Sequence, residues 1–235
     1  MIPLHVVQLQ YHSIYEQLQL EEALLRADQR NWCIINEGSP DAIVLGISGK
    51  PNELIHFDHL KKNPVPLIRR FSGGGTVFVD QNTYFITFIC NTSFVSASPF
   101  PESIMKWTTQ LYQPLFDPHP FTLQENDYVI GQQKCGGNAQ FICKQRWLHH
   151  SSFLWDYCPT KMNYLLIPPK MPAYRQKRSH QDFLCRLRDY WSDKQQFKEQ
   201  FLNLLSANFP IQHIERHELV EVLDRSHRKA TSLLQ

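Results

Sequence analysis

The chain has 235 residues, 42% hydrophobic and 20% charged, with 24 Lys and Arg against 22 Asp and Glu. This is ordinary globular usage, which excludes a disordered or fibrous chain, and a formal charge of +2 gives no reason to expect nucleic acid as a partner. The most apolar stretch, 84–90, is broken by Thr87 and is far shorter than the ~20 residues of a membrane helix, and the opening ten residues alternate polar with apolar, unlike a secretory leader. The expectation is a cytoplasmic protein with one core, no membrane contact and reduced cysteines.

A first helix is expected over 13–27. Ile14, Leu18 and Leu25 recur at helical spacing, Leu24 widens the stripe, and Ser13 with Glu16 forms a capping box. Strands follow at 31–36 and 41–47, separated by the turn Gly38-Ser39-Pro40. A short helix at 53–62 stops before Asn63-Pro64, because the residue preceding proline is pushed out of helical space. Strands at 66–70 and 76–80 flank a glycine run, and 83–90 is rich in β-branched and aromatic residues. After a helix at 102–113 come strands at 121–123, 128–130, 137–143 and 147–155. From residue 160 onward the pattern is helical, at 181–190, 194–207 and 215–224. The fold class is therefore α+β, a mostly antiparallel sheet with packed helices. Nothing marks a linker, so 1–235 reads as one domain, with a mainly helical tail from about 160 packed on the sheet.

The densest chemical signal is Arg69-Arg70-Phe71-Ser72-Gly73-Gly74-Gly75-Thr76-Val77-Phe78-Val79-Asp80. Three glycines in a row cost backbone entropy, and without Cβ atoms they let successive N–H groups approach an anion. Arg69 and Arg70 alternate across a strand, so only one can serve such a ligand. A glycine-rich hairpin with surface arginines is the plainer explanation. Neither a P-loop nor a Rossmann glycine pattern is present, and no G-x-S-x-G elbow.

A second cluster, Gly131-Gln132-Gln133-Lys134-Cys135-Gly136-Gly137-Asn138, places a lysine at a turn between strands. By spacing alone this is either a hairpin with a solvated lysine or a cation that reaches the anion held by the first loop. Upstream, Asn126-Asp127 offers a polar edge or a simple turn. His149 and His150 are adjacent on one strand and must face opposite ways, so a two-histidine metal site is excluded. The six cysteines show no C-x-x-C spacing.

Taken together, these clusters resemble the lipoate–protein ligase A family of the biotin/lipoate ligase superfamily. Arg-Arg-x-Ser-Gly-Gly-Gly-x-Val-Phe at 69–78 is the family's signature. The likeness continues through 17–25, 41–46, Asn126-Asp127, Lys134 and the paired histidines. It implies a catalytic domain of the biotin/lipoate ligase type. That domain activates lipoate with ATP and Mg2+ to lipoyl-AMP, then transfers the lipoyl group to a lysine of lipoyl-domain proteins. Such acceptors are 2-oxoacid dehydrogenase E2 subunits and the glycine-cleavage H protein. Lys134 would be the catalytic residue. Arg70, Ser72, Gly73, Gly74, Gly75, Thr76, Val77 and Phe78, with Asn126, Asp127 and His150, would hold the nucleotide and lipoyl group. Mg2+ would come with the nucleotide, Asp127 being the candidate to face it.

Longer ligases of the family carry a C-terminal accessory domain, for which this chain is too short, so a separate accessory protein is an expected further partner. The alternatives are an octanoyl- or lipoyltransferase of the same superfamily, working through a cysteine thioester, and a non-catalytic lipoate-binding module. Cys135 and Cys158 are the leftover thiol candidates, and neither falls where a transferase keeps its nucleophile. The basic stretch 170–188 is either a solvated face or a docking or lid region for an acidic lipoyl domain.

Overall fold

The structure, a computed structural model, describes residues 2–234. Its strands are β1 (Leu4–Gln10), β2 (Asn31–Glu37), β3 (Ala42–Leu45), β4 (Leu67–Arg69), β5 (Val77–Val79), β6 (Thr83–Asn91), β7 (Phe121–Gln124), β8 (Asp127–Ile130), β9 (Gln133–Ile142), β10 (Arg146–Leu154), β11 (Ile211–His213) and β12 (Ser232–Leu234). Its α-helices are α1 (Ile14–Ala27), α2 (Pro51–Leu54), α3 (Phe57–Lys62), α4 (Pro101–Tyr112), α5 (His180–Phe183), α6 (Lys194–Asn208) and α7 (Val220–Asp224). The strands form an eight-stranded sheet in the order β11-β1-β2-β6-β10-β9-β8-β7 and a four-stranded sheet in the order β12-β4-β3-β5. Among the described residues, the strand pairings β11–β1, β1–β2 and β3–β4 are parallel and the other strand pairings antiparallel. The architecture is α+β, with a large, mostly antiparallel sheet and packed helices.

Side-chain alternation gives the large sheet two distinct faces. One carries Phe88, Cys90, Tyr84, Trp147 and Phe153 and is packed with Phe197, Phe201 and Leu205 from α6 and Ile104 and Leu111 from α4. The opposite face carries Trp32, Ile34, Ile89 and Leu148 and buries Leu20, Ala23, Leu24 and Leu25 of α1. The small sheet has its own apolar layer, with Ile43, Leu45, Leu67 and Phe78 against Met162, Tyr164 and Phe183.

Several local expectations give way to longer-range contacts. Ser13 makes no side-chain cap, and the Ile14 N–H donates instead to Ser39 Oγ at 3.0 Å. The helix expected over 53–62 splits into α2 and α3, because buried Ile55 leaves helical space to bridge Leu165. The helix expected over 181–190 is reduced to α5 and a 3-10 turn at 187–189, since Leu184 bridges Lys134 in strand fashion. Residues 215–224 likewise divide into a 3-10 turn and α7. The alternating opening segment is β1, buried between β2 and β11. The tail adds a strand to each sheet, β11 beside β1 and β12 beside β4.

A buried carboxylate anchors the last of these strands. Glu22 on α1, 1% exposed, accepts the N–H groups of Ala230 and Thr231 at 2.9–3.0 Å and pairs with Arg26 at 3.0 Å. Removing it leaves two backbone donors without their partner. Glu22→Ala is expected to lower unfolding stability by about 2–3 kcal/mol, the scale of lost hydrogen bonds to a charged group. The exposed pair Lys50–Glu53 supplies the control: Glu53→Ala should shift urea unfolding by less than about 0.5 kcal/mol.

Candidate functional site

The glycine run does not close a hairpin. It joins β4 to β5, and β3 lies between those two strands, so the loop crosses over the end of β3. That passage requires bare backbone. A Cβ at Gly46, just past β3, would sit 2.1 Å from Gly74 O, and one at Gly74 would sit 2.5 Å from Arg70 Nη2. Gly74 also adopts φ +113°, a conformation that side chains resist.

The two arginines diverge as alternation demands. Arg69 Nη1 donates to Ile47 O at 3.0 Å and Gly49 O at 2.8 Å, holding the neighbouring loop. Arg70 is 4% exposed and donates to Gly73 O at 3.0 and 3.2 Å and to Gly75 O at 2.8 Å. Burial draws its pKa down to about 10, with Glu21 acting against that fall, so the guanidinium stays charged at neutral pH. Arg70 thus gathers the loop's carbonyls inward.

The loop's N–H groups are left pointing elsewhere. β9 runs on past β8, whose pairing with it ends at Asp127 and Gly137, and Gly73 N–H donates to Gln140 O on that free stretch at 3.2 Å. Among the described residues, no acceptor takes the N–H groups of Gly74, Gly75 or Thr76, and Thr76 Oγ1 is buried without a partner. A Cβ built on Gly75 meets nothing within 4 Å. These orphaned donors beside open space fit an anionic ligand. Ser72 is buried and its carbonyl accepts the Ile47 N–H at 3.0 Å. Val77 and Phe78 continue into β5, where Phe78 stacks on Tyr164 with centroids 5.1 Å apart.

Lys134 is aimed by an irregularity in β9. Asp127 pairs with Gly137 and Tyr128 with Gly136, but Val129 pairs with Lys134, so Cys135 is an extra residue. The bulge turns Lys134 onto the face that carries Asp127, Gly137, Ser152 and His150. Lys134 Nζ lies 2.7 Å from Asp127 Oδ1, and a Cβ on Gly137 would lie 3.3 Å from it. The other Asp127 oxygen accepts from the Tyr174 hydroxyl at 2.8 Å, so both are engaged within the protein. Asn126 is exposed, and its carbonyl accepts from the Asn138 side chain at 2.6 Å. Tyr174 belongs to a strap, 173–185, laid across the β8–β9 hairpin. The strap is held by Glu125 Oε1 accepting the Ala173 N–H at 2.7 Å and by Lys134 O accepting the Cys185 N–H at 2.9 Å.

The basic stretch is mostly consumed in this strap. Arg175 is buried and bonds Arg178 O, Arg178 bonds Gln132 O and Tyr174 O, and Arg186 and Arg188 pair with Asp156. Lys170 and Lys177 are exposed. Two surface clefts, of about 330 and 430 Å³, open elsewhere, against Cys185 and against His180, and the glycine run lines neither.

The paired histidines divide between the two faces. His150 shares the face of Lys134 and lies 2.9 Å from Glu21 Oε1 and 3.0 Å from Thr87 Oγ1. Glu21 also accepts from Thr87 at 2.7 Å and Gln17 at 2.8 Å, and Gln17 in turn accepts from Asn36. This buried polar chain escaped the sequence reading. Its one local trace is Gln17 and Glu21, polar residues four apart on the apolar stripe of α1. Nothing local marks Tyr174. His149 faces α4, 2.7 Å from Tyr128 Oη and 2.8 Å from the Gln140 side-chain amide, and burial, then His150, lowers its pKa to about 3.

A model of the lipoyl protein ligase A/B catalytic domain matches residues 13–206. The chain belongs to this family. It is 29% identical over 242 residues to a Plasmodium falciparum (isolate 3D7) protein named inactive lipoate–protein ligase 2, covering 77% of this chain and 62% of that one. It is 30% identical over 118 residues to the lipoate-protein ligase LplJ of Bacillus subtilis (strain 168), covering 49% of this chain and 34% of the relative. The chain therefore spans less than two thirds of the length of these relatives. Among solved structures, the bi-partite lipoate protein ligase of Thermoplasma acidophilum, described with its E2 lipoyl domain, superimposes with a TM-score of 0.77 at 17% identity, covering 95% of this chain and 91% of that one. A lipoate-protein ligase A bound with ATP gives 0.73, also at 17% identity, over 94% and 92%. The catalytic-domain fold of the family is thus shared across nearly the whole chain.

Two consequences are measurable. Gly74→Ala places a side chain at positive φ against Arg70 and should cost about 1–3 kcal/mol in urea unfolding, whereas Gly75→Ala, which faces open space, should leave stability within about 0.5 kcal/mol. His149 titrates near 6.5 when unfolded and near 3 when folded, so the unfolded chain binds more protons in between. Its contribution is complete above pH 6.5 and is lost as pH falls toward 3, at up to roughly 1.4 kcal/mol per pH unit. Urea unfolding at pH 7 and pH 5 should show a smaller drop for His149→Gln than for the wild type.

Proposed function

We propose that this chain activates lipoate with ATP to lipoyl-adenylate and transfers the lipoyl group to a lysine of lipoyl-domain acceptor proteins. The observation that carries this reading is the bulge at Cys135, which sets Lys134 on the same sheet face as His150. Attack of the lipoate carboxylate on the α-phosphate brings two anions together. The Lys134 ammonium and the unpaired N–H groups of Gly74, Gly75 and Thr76 offset that repulsion and stabilise the charge that develops. Arg70 shapes the glycine loop, and Ser72, Gly73, Val77 and Phe78 fix its ends. Asn126 and Asp127 sit beside Lys134, and Asp127 is the counterion that the incoming phosphate joins. His150, held by Glu21, floors the lipoyl end.

In the second half-reaction the acceptor amine attacks the acyl carbonyl and AMP departs, with Lys134 stabilising the charge on both. Among the described residues, no three or more His, Cys, Asp or Glu side chains converge on a metal position. A Mg2+ arriving with the nucleotide would be held chiefly by phosphate oxygens, and would gain the Asp127 carboxylate only by displacing Lys134 or Tyr174 from it. Such an ion would supply neutralisation of the phosphate charge.

A second reading draws on the relative named inactive and on the bi-partite ligase of similar fold. On that reading the chain transfers from lipoyl-adenylate but adenylates lipoate only with an accessory protein. The thioester alternative is weakened by Cys135, whose thiol is fully buried away from Lys134 and pushed well up by that burial. Cys158 is half-buried, with its pKa lowered first by a hydrogen bond with Thr160.

Lipoate-dependent ATP–pyrophosphate exchange by the purified chain decides between the first two readings. Exchange supports the ligase. Its absence, with transfer from supplied lipoyl-adenylate retained, supports the second, and loss of both overturns the proposal. Lys134→Ala is expected to slow transfer from lipoyl-adenylate about 10²- to 10³-fold, read as acceptor mass, while Cys158→Ser keeps wild-type transfer. Loss of transfer in Cys158→Ser, with a hydroxylamine-labile acyl-enzyme in the wild type, would establish the thioester route instead.

A further inference from the structure

Cys185 plays no part in the chemistry above, yet it lies directly across from the bulge residue Cys135. Lys134 and Leu184 form a parallel bridge, and the Cys185 N–H donates to Lys134 O at 2.9 Å. Cys135 and Cys185 are the next pair along that register. Neighbouring strands run about 4.8 Å apart, inside the Cα separation of roughly 4.4–6.8 Å that a disulfide needs. Both side chains enter the same apolar cluster, where the Cys135 thiol donates to Tyr128 O at 3.4 Å and the Cys185 thiol to Gln133 O at 3.6 Å.

We propose that Cys135 and Cys185 form a redox-active dithiol beside Lys134, a modification site that reacts with a small disulfide of the glutathione class and closes to an intramolecular disulfide.

The two sulfurs have different access. Cys185 lines the cleft of about 330 Å³, together with Gln133, Tyr157, Arg186, Asp189 and Tyr190, which opens a path from the surface to its sulfur. Cys135 is fully buried behind it. The electrostatics agree with that division. The Cys185 thiol is lowered, first by the neighbouring Cys135, while burial pushes Cys135 well up. Cys185 is therefore the attacking thiol and Cys135 the resolving one. The Cys185 thiolate attacks one sulfur of oxidised glutathione, and the first glutathione leaves with the proton that Cys185 gave up. Cys135 then attacks the Cys185 sulfur of the mixed disulfide, and its proton departs with the second glutathione. Two electrons pass from the protein dithiol to the glutathione disulfide. The new bond ties the strap carrying Tyr174 to the strand carrying Lys134. Cys33 and Cys90 supply an internal contrast, since both are fully buried, both are pushed up, and neither lines that cleft.

The test is incubation of the full chain with oxidised glutathione, followed by intact mass and non-reducing peptide mapping. The expected product contains a Cys135–Cys185 cross-linked peptide two hydrogens lighter than its reduced halves, carries no glutathione at either position, and is restored by dithiothreitol. Cys135→Ser should stop at one glutathione on Cys185, and Cys185→Ser should form no cross-link. Because the first variant alters a buried position, the wild-type peptide map stands as the independent measurement. A wild-type chain that remains reduced at both positions, that keeps a glutathione adduct at Cys185, or whose cross-link maps to Cys143 or Cys158, overturns the proposal. None of these readouts involves lipoate or ATP, so the outcome is separate from that of the ligase reading.

Discussion

In the small sheet the glycine loop crosses the end of β3 where backbone must pass backbone with no room for a side chain between them. Gly46 ends one passage and Gly74 lies in the other, so close that a single added Cβ would overlap a carbonyl oxygen or the Arg70 guanidinium. The Gly73 N–H then caps the free stretch of β9 through Gln140 O. Everything that gives the site its character follows from this crossing. It puts three backbone donors without acceptors beside open space, and it brings the small sheet over the face of the large one that carries Lys134 and His150.

Holding that crossing requires buried charge, which is costly unless each group finds partners. Arg70 meets three carbonyl hydrogen bonds from its own loop, and the Glu21 carboxylate acts on it from α1. Glu21 is in turn satisfied by Gln17, Thr87 and His150. The result is a polar layer inside an apolar core, linking α1, β2, β6 and β10. A network in which each member depends on its neighbours fixes one arrangement more firmly than apolar packing does. This explains how a loop of three glycines keeps a defined shape.

The C-terminal third shapes the chemistry more directly than a helical appendage would. Its strap supplies Tyr174 to Asp127 and Cys185 to the bulge, and its end is pinned by Glu22 as the outer strand of the small sheet. The side chains that define the surroundings of Lys134 thus come from segments some fifty residues apart in the chain.

The elements with strong local patterns were legible in the amino-acid sequence. The stripe of α1, the β-branched run of β6 and the glycine run between two strands each encode their conformation within about ten residues. The signature at 69–78, with Lys134 and the histidine pair, was enough to suggest the family. The strict alternation of strand residues also required that only one of His149 and His150 face the site. Alternation alone could not say which, the choice of His150 coming from the family resemblance, and no local pattern could reveal the bulge that turns Lys134, because a bulge is a mismatch between two strands and leaves no periodicity in either. The same holds for the three-residue strands β11 and β12, for Tyr174, and for the Glu21–His150 contact, whose members lie 129 positions apart. Local sequence determined which backbone shapes were available. The tertiary structure decided which side chains share a face and a partner, because pairing register and burial exist only once distant segments have met.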